Sequence, residues 1–273
     1  MNNSDFFSKE DIKKQLSSLG VPQDRPVTVH SSLRAVGKTE NRGEGFLEAL
    51  IEYVTAKGGL LCIPTHTWHR CNDNYDVTLD ISSSDVCIGT LSKIASVFPG
   101  VHRSENPTHS LAVFGDEKKA EEFILHDRSL YSSSDPSGCL GQLECEDGSI
   151  LLIGVGQDKN TYIHTLEDTF GIQNRLSDFI YPALVRKANG EIEERPLRLI
   201  APKDIGDVSQ RYPKFEPAFC AAGAVTFGYV GSAFTRLCSA RKMKRAFAAI
   251  VEKSGGAELL ANDEPLPVSF YLD

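Results

Sequence analysis

Two apolar strands flanking one amphipathic helix constrain this chain most. Pro26 to His30 (PVTVH) is short and β-branched, and Gly43 to Ala56 puts Phe46, Leu47, Leu50, Ile51 and Val54 on one helical face. After Gly58-Gly59, Leu60 to Ile63 reads as a buried strand. A strand, a helix and a strand at this spacing wind as a right-handed crossover, which predicts parallel strands in an α/β sheet. Ser110 to Phe114 and Ile150 to Val155 (ILLIGV) read as further strands. Helices are expected over Ser8 to Leu19, capped by Ser8 with Asp11 and ended by Gly20, and over Gly89 to Phe98, Asp116 to His126, Thr161 to Phe170 and Ser239 to Val251. Trp68 to Asp85 and Ser132 to Gly141 read as loops. The second half changes character. Phe179 to Lys187 and Glu191 to Ile200 alternate around Asn189-Gly190, a strong hairpin signal, and Phe227 to Leu237 is hairpin-like. The tail beyond Val251 shows no pattern. No linker separates the halves, so one domain over residues 1–273 is expected.

Composition narrows the partners. Lys plus Arg is 29 and Asp plus Glu 37, for a formal charge of −8, whereas a nucleic-acid binder normally carries a basic stripe. No apolar run is long enough for a membrane span, and the polar Met1 to Gln15 stretch does not resemble a signal peptide. The seven cysteines are widely spaced and form no C-x-x-C, which fits reduced thiols in a cytoplasmic protein.

Several segments can carry chemistry. His30-Ser31-Ser32-Leu33-Arg34-Ala35-Val36-Gly37 follows a strand, and its hydroxyls, backbone amides and Arg34 can hold a phosphate. The alternative is a plain turn, and neither dinucleotide nor P-loop glycine patterns occur. In Thr161 to Asp168, His164 and Glu167 sit at i and i+3 on a helix that starts just past a strand's C-terminal end, where open α/β folds place ligands. A carboxylate on one imidazole nitrogen leaves the other free to accept a proton. An exposed helical ion pair would look the same. Arg103 to Ser110 is a strand-adjoining loop with a cation, hydroxyls and His109. His66, His69 and Cys71 have zinc-like spacing but lack a fourth ligand, so no metal is expected. No G-x-S-x-G elbow occurs, and Cys139 lacks a basic neighbour.

VHSSLRAVG (29–37), GGLLCIPTHTW (58–68), VHRSENPTHSLAVFG (101–115), DPSGCLGQLECEDGSILLIGVGQDKNTYIHTLED (135–168) and GYVGSAFTRLCSA (228–240) occur in an order and spacing that resembles the antibiotic N-acetyltransferase family, the aminoglycoside 3-N-acetyltransferases being its best-known members. The resemblance spans about residues 8–252. It implies one α/β domain with mixed parallel and antiparallel sheets flanked by helices, and transfer of acetyl from acetyl-coenzyme A to an amine without a metal. By the resemblance, His164 is the general base and Glu167 its orienting carboxylate. Ser31, Ser32, Leu33, Arg34, Ala35, Val36 and Gly37, with Thr65, Arg103 and Ser110, hold the coenzyme. Trp68, Asp73, Asp76 and Asp168, with Asp178, are candidate acceptor contacts, since acidic groups steer a polycationic aminosugar. Two departures stand out. His164-Thr165-Leu166-Glu167-Asp168 ends on an acid where the family usually has Tyr, and SSSDVCIGTLSKI lacks the family's Pro and Met. The expected acceptor is an aminoglycoside or related aminosugar. A non-antibiotic amine, a non-catalytic coenzyme or aminosugar binder and a zinc amidohydrolase are the rivals.

Overall fold

The computed structural model describes residues 6–272. Its centre is a seven-stranded mixed sheet, in the order Val225–Val230, Ala233–Ser239, Ser149–Ile153, Val27–Ser31, Leu61–Pro64, Leu111–Phe114, His102–Arg103. The three middle strands are parallel, as the crossover reading requires, and the flanking pairs are antiparallel. Strands alternate their side chains between faces, and here both faces are covered. Leu151 and Ile153 meet Ile12, Leu16, Phe46, Leu50 and Leu91 on one side. Ile150 and Leu152 meet Phe123, Leu143, Ile163, Phe215 and Phe247 on the other. The sheet is therefore the middle layer of three.

The local signals account for most elements. Ser8 and Asp11 form the capping box of the helix Lys9–Leu19, and Gly20 closes it at φ 83°. The helix Arg42–Val54 buries Phe46, Leu47, Leu50 and Val54. The Asn189-Gly190 hairpin exists but is short: Leu184–Arg186 pairs with Ile192–Glu194, and Leu79–Asp80 joins them in a separate three-stranded sheet. That strand and the 3-10 turn Trp68–Arg70 lie within the expected 68–85 loop. Two findings correct the sequence reading. The later hairpin is antiparallel as expected, but it does not stand alone: Ala233–Ser239 also pairs with Ser149–Ile153 and extends the main sheet. Cys139–Cys145 is a helix whose start falls in the expected 132–141 loop, where Pro136, Gly138 and Gly141 read as turn residues.

This hairpin also fixes the turn after the first central strand. Gly231, at φ 59°, sits against Val36, whose carbonyl accepts from Ser232 N at 2.9 Å, while Gly231 N donates to Gln15 Oε1 at 2.6 Å. A Cβ at Gly231 would collide with the Val36 carbonyl oxygen. Gly231→Ala should therefore cost more than about 2 kcal/mol in chemical denaturation, from left-handed strain plus displacement of the 31–37 turn. Wild-type stability in that variant would show that the two segments do not bear on each other.

Candidate active site

The chemistry-bearing segments converge at one edge of the sheet because the three parallel strands end there. Val27–Ser31 delivers His30 and Ser31, and Leu61–Pro64 runs into Thr65 and His66. Ser149–Ile153 leads through Gly154 to the helix Tyr162–Thr169, and the antiparallel strand Leu111–Phe114 starts beside them after Thr108 and His109. Gly154, at φ 66°, lets this turn pass so close to Ala35 that a Cβ on Gly154 would overlap the Ala35 methyl. Between these ends lies a cavity of about 750 Å³, lined among others by His30, Ser31, His66, Trp68, His109 and His164.

His164 is held from below. Tyr162, Ile163 and Leu166 anchor its helix in the core. The Tyr212 hydroxyl lies 2.5 Å from His164 Nδ1 and donates to Glu167 Oε2 at 2.5 Å. His164 and Glu167 do not bond directly; Nδ1 and Oε2 are 3.7 Å apart, with the phenol between them. A phenol carries one proton, and the carboxylate takes it, so its oxygen can only accept from His164. Nδ1 therefore bears the hydrogen and Nε2 is left as the basic nitrogen. Burial, with Glu167 beside it, pushes the Tyr212 phenol well above its ordinary range, so it stays protonated. Glu167 is 2% exposed, and its other oxygen accepts from the buried Arg175 Nε. Arg175 in turn grips Glu258 with both terminal nitrogens, at 2.7 and 2.8 Å.

Three further histidines line the cavity. His109 stacks at a tilt against His66, with centroids 4.4 Å apart, and lies edge-on to His164 at 6.5 Å. Its Nδ1 is 2.8 Å from the Thr108 hydroxyl, which also reaches Ser133 Oγ. Burial pushes His30 down to about 4 and His109 to about 3, and drives His66 well below its ordinary value. His30 Nε2, His66 Nε2 and Ser31 Oγ are buried without a hydrogen-bond partner among the described residues. The thiols are poor nucleophiles: burial raises Cys71, in the cavity wall, to about 11, and raises Cys139 well above its usual value.

Of the expected coenzyme residues, Ser31 lines the cavity. Ser32 Oγ caps the helix Leu33–Val36 at Ala35 N; Leu33 and Ala35 are half-buried, Val36 is buried, and Arg34 and Gly37 are exposed. Thr65, Arg103 and Ser110 are buried and bonded to one another away from the cavity wall. Arg103 donates to the carbonyls of Asp80, Ser83 and Thr65 and so ties the 80–83 loop to the sheet. Trp68 lines the cavity with half its surface exposed. Asp73 is exposed and does not line it. Asp76 pairs with Arg186 at 2.5 Å, and Asp178 pairs with Lys203. Asp168 accepts from the hydroxyls of Tyr131, Ser132 and Ser134, which pins that loop to the helix Tyr162–Thr169. His69 pairs with Asp85 at 3.2 Å, and the described residues include no cluster of three or more His, Cys, Asp or Glu arranged to hold a metal. Sequence reasoning missed Tyr212, Arg175 and Glu258. No local pattern marks them, because their partners are 45, 8 and 83 residues away.

The buried histidines give stability a pH dependence. An unfolded histidine takes up a proton near pH 6.5, whereas folded His30 stays neutral down to about pH 4. In between, the unfolded chain binds more protons, so stability falls as pH falls, by roughly 1.4 kcal/mol per pH unit for each such ring. The thermal midpoint should drop from pH 6.5 toward pH 4, and His30→Asn should flatten that slope. Equal slopes in the two proteins would refute a neutral, buried His30.

Known proteins resemble this chain over most of its length. The family model described as aminoglycoside 3-N-acetyltransferase matches residues 28–252. Aminoglycoside N(3)-acetyltransferase IV of Salmonella sp is 32% identical over 163 residues, 59% of each chain. The SPbeta prophage-derived aminoglycoside N(3')-acetyltransferase-like protein YokD of Bacillus subtilis (strain 168) is 25% identical over 85% of this chain and 88% of its own. Among solved structures, a mutant of aminoglycoside acetyltransferase AAC(3)-IVa in complex with a gentamicin shares the fold at TM-score 0.76 and 23% identity, covering 97% of this chain and 99% of that one. AAC-IIIb in binary complex with CoASH does so at TM-score 0.75 and 20% identity, covering 91% and 97%. The chain belongs to the aminoglycoside 3-N-acetyltransferase family, whose members are acyltransferases.

Proposed function

We propose that this protein transfers the acetyl group of acetyl-coenzyme A directly to an amine, with His164 as the general base. The observation that carries this reading is the hydrogen-bonded line from His164 Nδ1 through the Tyr212 hydroxyl to Glu167, which leaves Nε2 free at the cavity. The amine nitrogen forms a bond to the thioester carbon as its proton passes to Nε2. The carbon–sulfur bond then breaks, and the departing thiolate takes up a proton. The positive charge that develops on His164 is met by Glu167 through the phenol. The carbonyl oxygen, as it becomes an oxyanion, needs a hydrogen-bond donor from the cavity wall; His109, kept neutral by burial, turns its Nδ1–H to the Thr108 hydroxyl, which itself donates to Ser133 Oγ at 2.8 Å. No acyl-enzyme is needed, in keeping with the raised cysteines. The 31–37 turn supplies an exposed Arg34 and the unpartnered Ser31 hydroxyl, which suit the coenzyme's phosphates and amides.

An aminoglycoside acceptor, acetylated on its 3-amino group, is supported by the family and by the gentamicin-bound fold relative. A second reading is favoured by the cavity wall. Its acids are Asp158, paired with Lys159 at 2.9 Å, and Asp207, which accepts from Ser209 and Gln210. Such a wall suits an amine with one charge and an apolar body as well as a polycation. Thiol release from acetyl-coenzyme A, measured against aminoglycosides and simple monoamines, separates the two readings. Turnover of neither, with the coenzyme still bound, would leave a binding protein.

Two substitutions test the chemistry. His164→Ala should lower kcat by about 10²-fold or more with coenzyme affinity nearly unchanged, and activity within a few-fold of wild type would remove it as the base. Glu167→Gln should lose less than His164→Ala does.

A further inference from the structure

The segment 257–263 lies beyond the matched family region and shows no sequence pattern, yet it is bonded to both supports of His164. Glu258 holds Arg175 with two bonds, and Arg175 holds Glu167. On the other side, Arg211 donates to the Leu260 carbonyl at 2.7 Å and pairs with Asp263 at 2.9 Å, while Lys214 donates to the carbonyls of Leu259 and Asn262 at 2.9 and 2.5 Å. Arg211 and Lys214 flank Tyr212 on the 3-10 segment Val208–Phe215. Leu260 is fully buried in the core cluster that contains Tyr212 and Phe215, so the segment is anchored where it crosses.

We infer that Glu258 is a positioning residue for catalysis, and that the 257–263 segment is a clamp that aligns the Tyr212–Glu167 support and sets its charge. The inference rests on His164 being the base. Without Glu258, Arg175 would sit against Glu167 with its charge uncompensated, and Glu167 would offer less negative potential to a protonated His164. The other groups facing His164 are Tyr212, His109 and His66, the histidines neutral by burial, and Asp207 at the start of the Tyr212 segment. None of these replaces the Glu258 charge beside Arg175. Fixed orientation follows as well: a bidentate carboxylate holds the planar guanidinium in one plane, so Nε points at Glu167.

The full chain carrying Glu258→Gln tests this, with Glu258→Asp as the conservative partner. Glu258→Gln should shift the acid limb of the kcat/KM profile to lower pH and lower kcat several-fold with KM nearly unchanged, and Glu258→Asp should recover most of both. The proton NMR resonance of the His164 Nδ1–H, assigned by its loss in His164→Gln, should shift upfield in Glu258→Gln and return in Glu258→Asp. A profile and a resonance identical to wild type, with only the melting temperature changed, would reduce Glu258 to a structural tie and overturn the inference. The resonance needs no acceptor, so failure to find a turned-over amine would count against the proposed reaction and leave the clamp still decidable.

Discussion

A buried carboxylate organises this molecule's active edge. Glu167 is all but removed from water, and a charge in that position costs several kcal/mol unless partners surround it. Two partners do so: a phenol on one oxygen and a guanidinium on the other. Each brings a distant stretch of chain, the 3-10 segment Val208–Phe215 and the loop at Arg175. The His164 imidazole is then oriented as a by-product of satisfying the carboxylate, because the phenol that stabilises Glu167 has an oxygen left over for it. Removing one partner exposes the others to the same desolvation cost, so the support behaves as a unit.

The sheet determines where this unit stands. Parallel central strands end together, so the turns that follow them share one rim, and residues from distant parts of the sequence become neighbours there. The rim histidines His30, His66 and His109 are kept neutral by burial in an apolar setting rather than by any one neighbour. Of the four cavity histidines, His164 is the one beside a carboxylate, which sets it apart from three rings of the same chemistry.

Much of the fold was legible from local pattern. The crossover unit, the capping box at Ser8 and the Asn189-Gly190 turn are signals contained within a few residues, and the structure has all three. The His164–Glu167 pair was legible as a shared helix face, but not its intervening phenol, because spacing reports which residues can meet and not what comes between them. Arg103 and Ser110 were marked as coenzyme contacts. Strand alternation and the path of the 80–83 loop turned them inward onto carbonyls, and neither can be read from composition. Asp76 and Asp178 were marked for their charge, which arginine and lysine partners across the fold have taken up. The helix Cys139–Cys145 was hidden because its glycines read as turn residues.

The order in which a ribosome makes the chain gives the long-range bonding a temporal meaning. Val27–Ser31 cannot complete its pairing until Ser149–Ile153 has been synthesised, and that strand is flanked only when Ala233–Ser239 appears. The outer carboxylate of the imidazole's support, Glu258, follows later still, after the helix Ala240–Ser254 that packs behind the sheet. Every strand of the central sheet can therefore have left the exit tunnel while the support of His164 still lacks this partner. The nascent chain acquires its shape first, and the network around His164 is completed only once the sheet that carries it has closed.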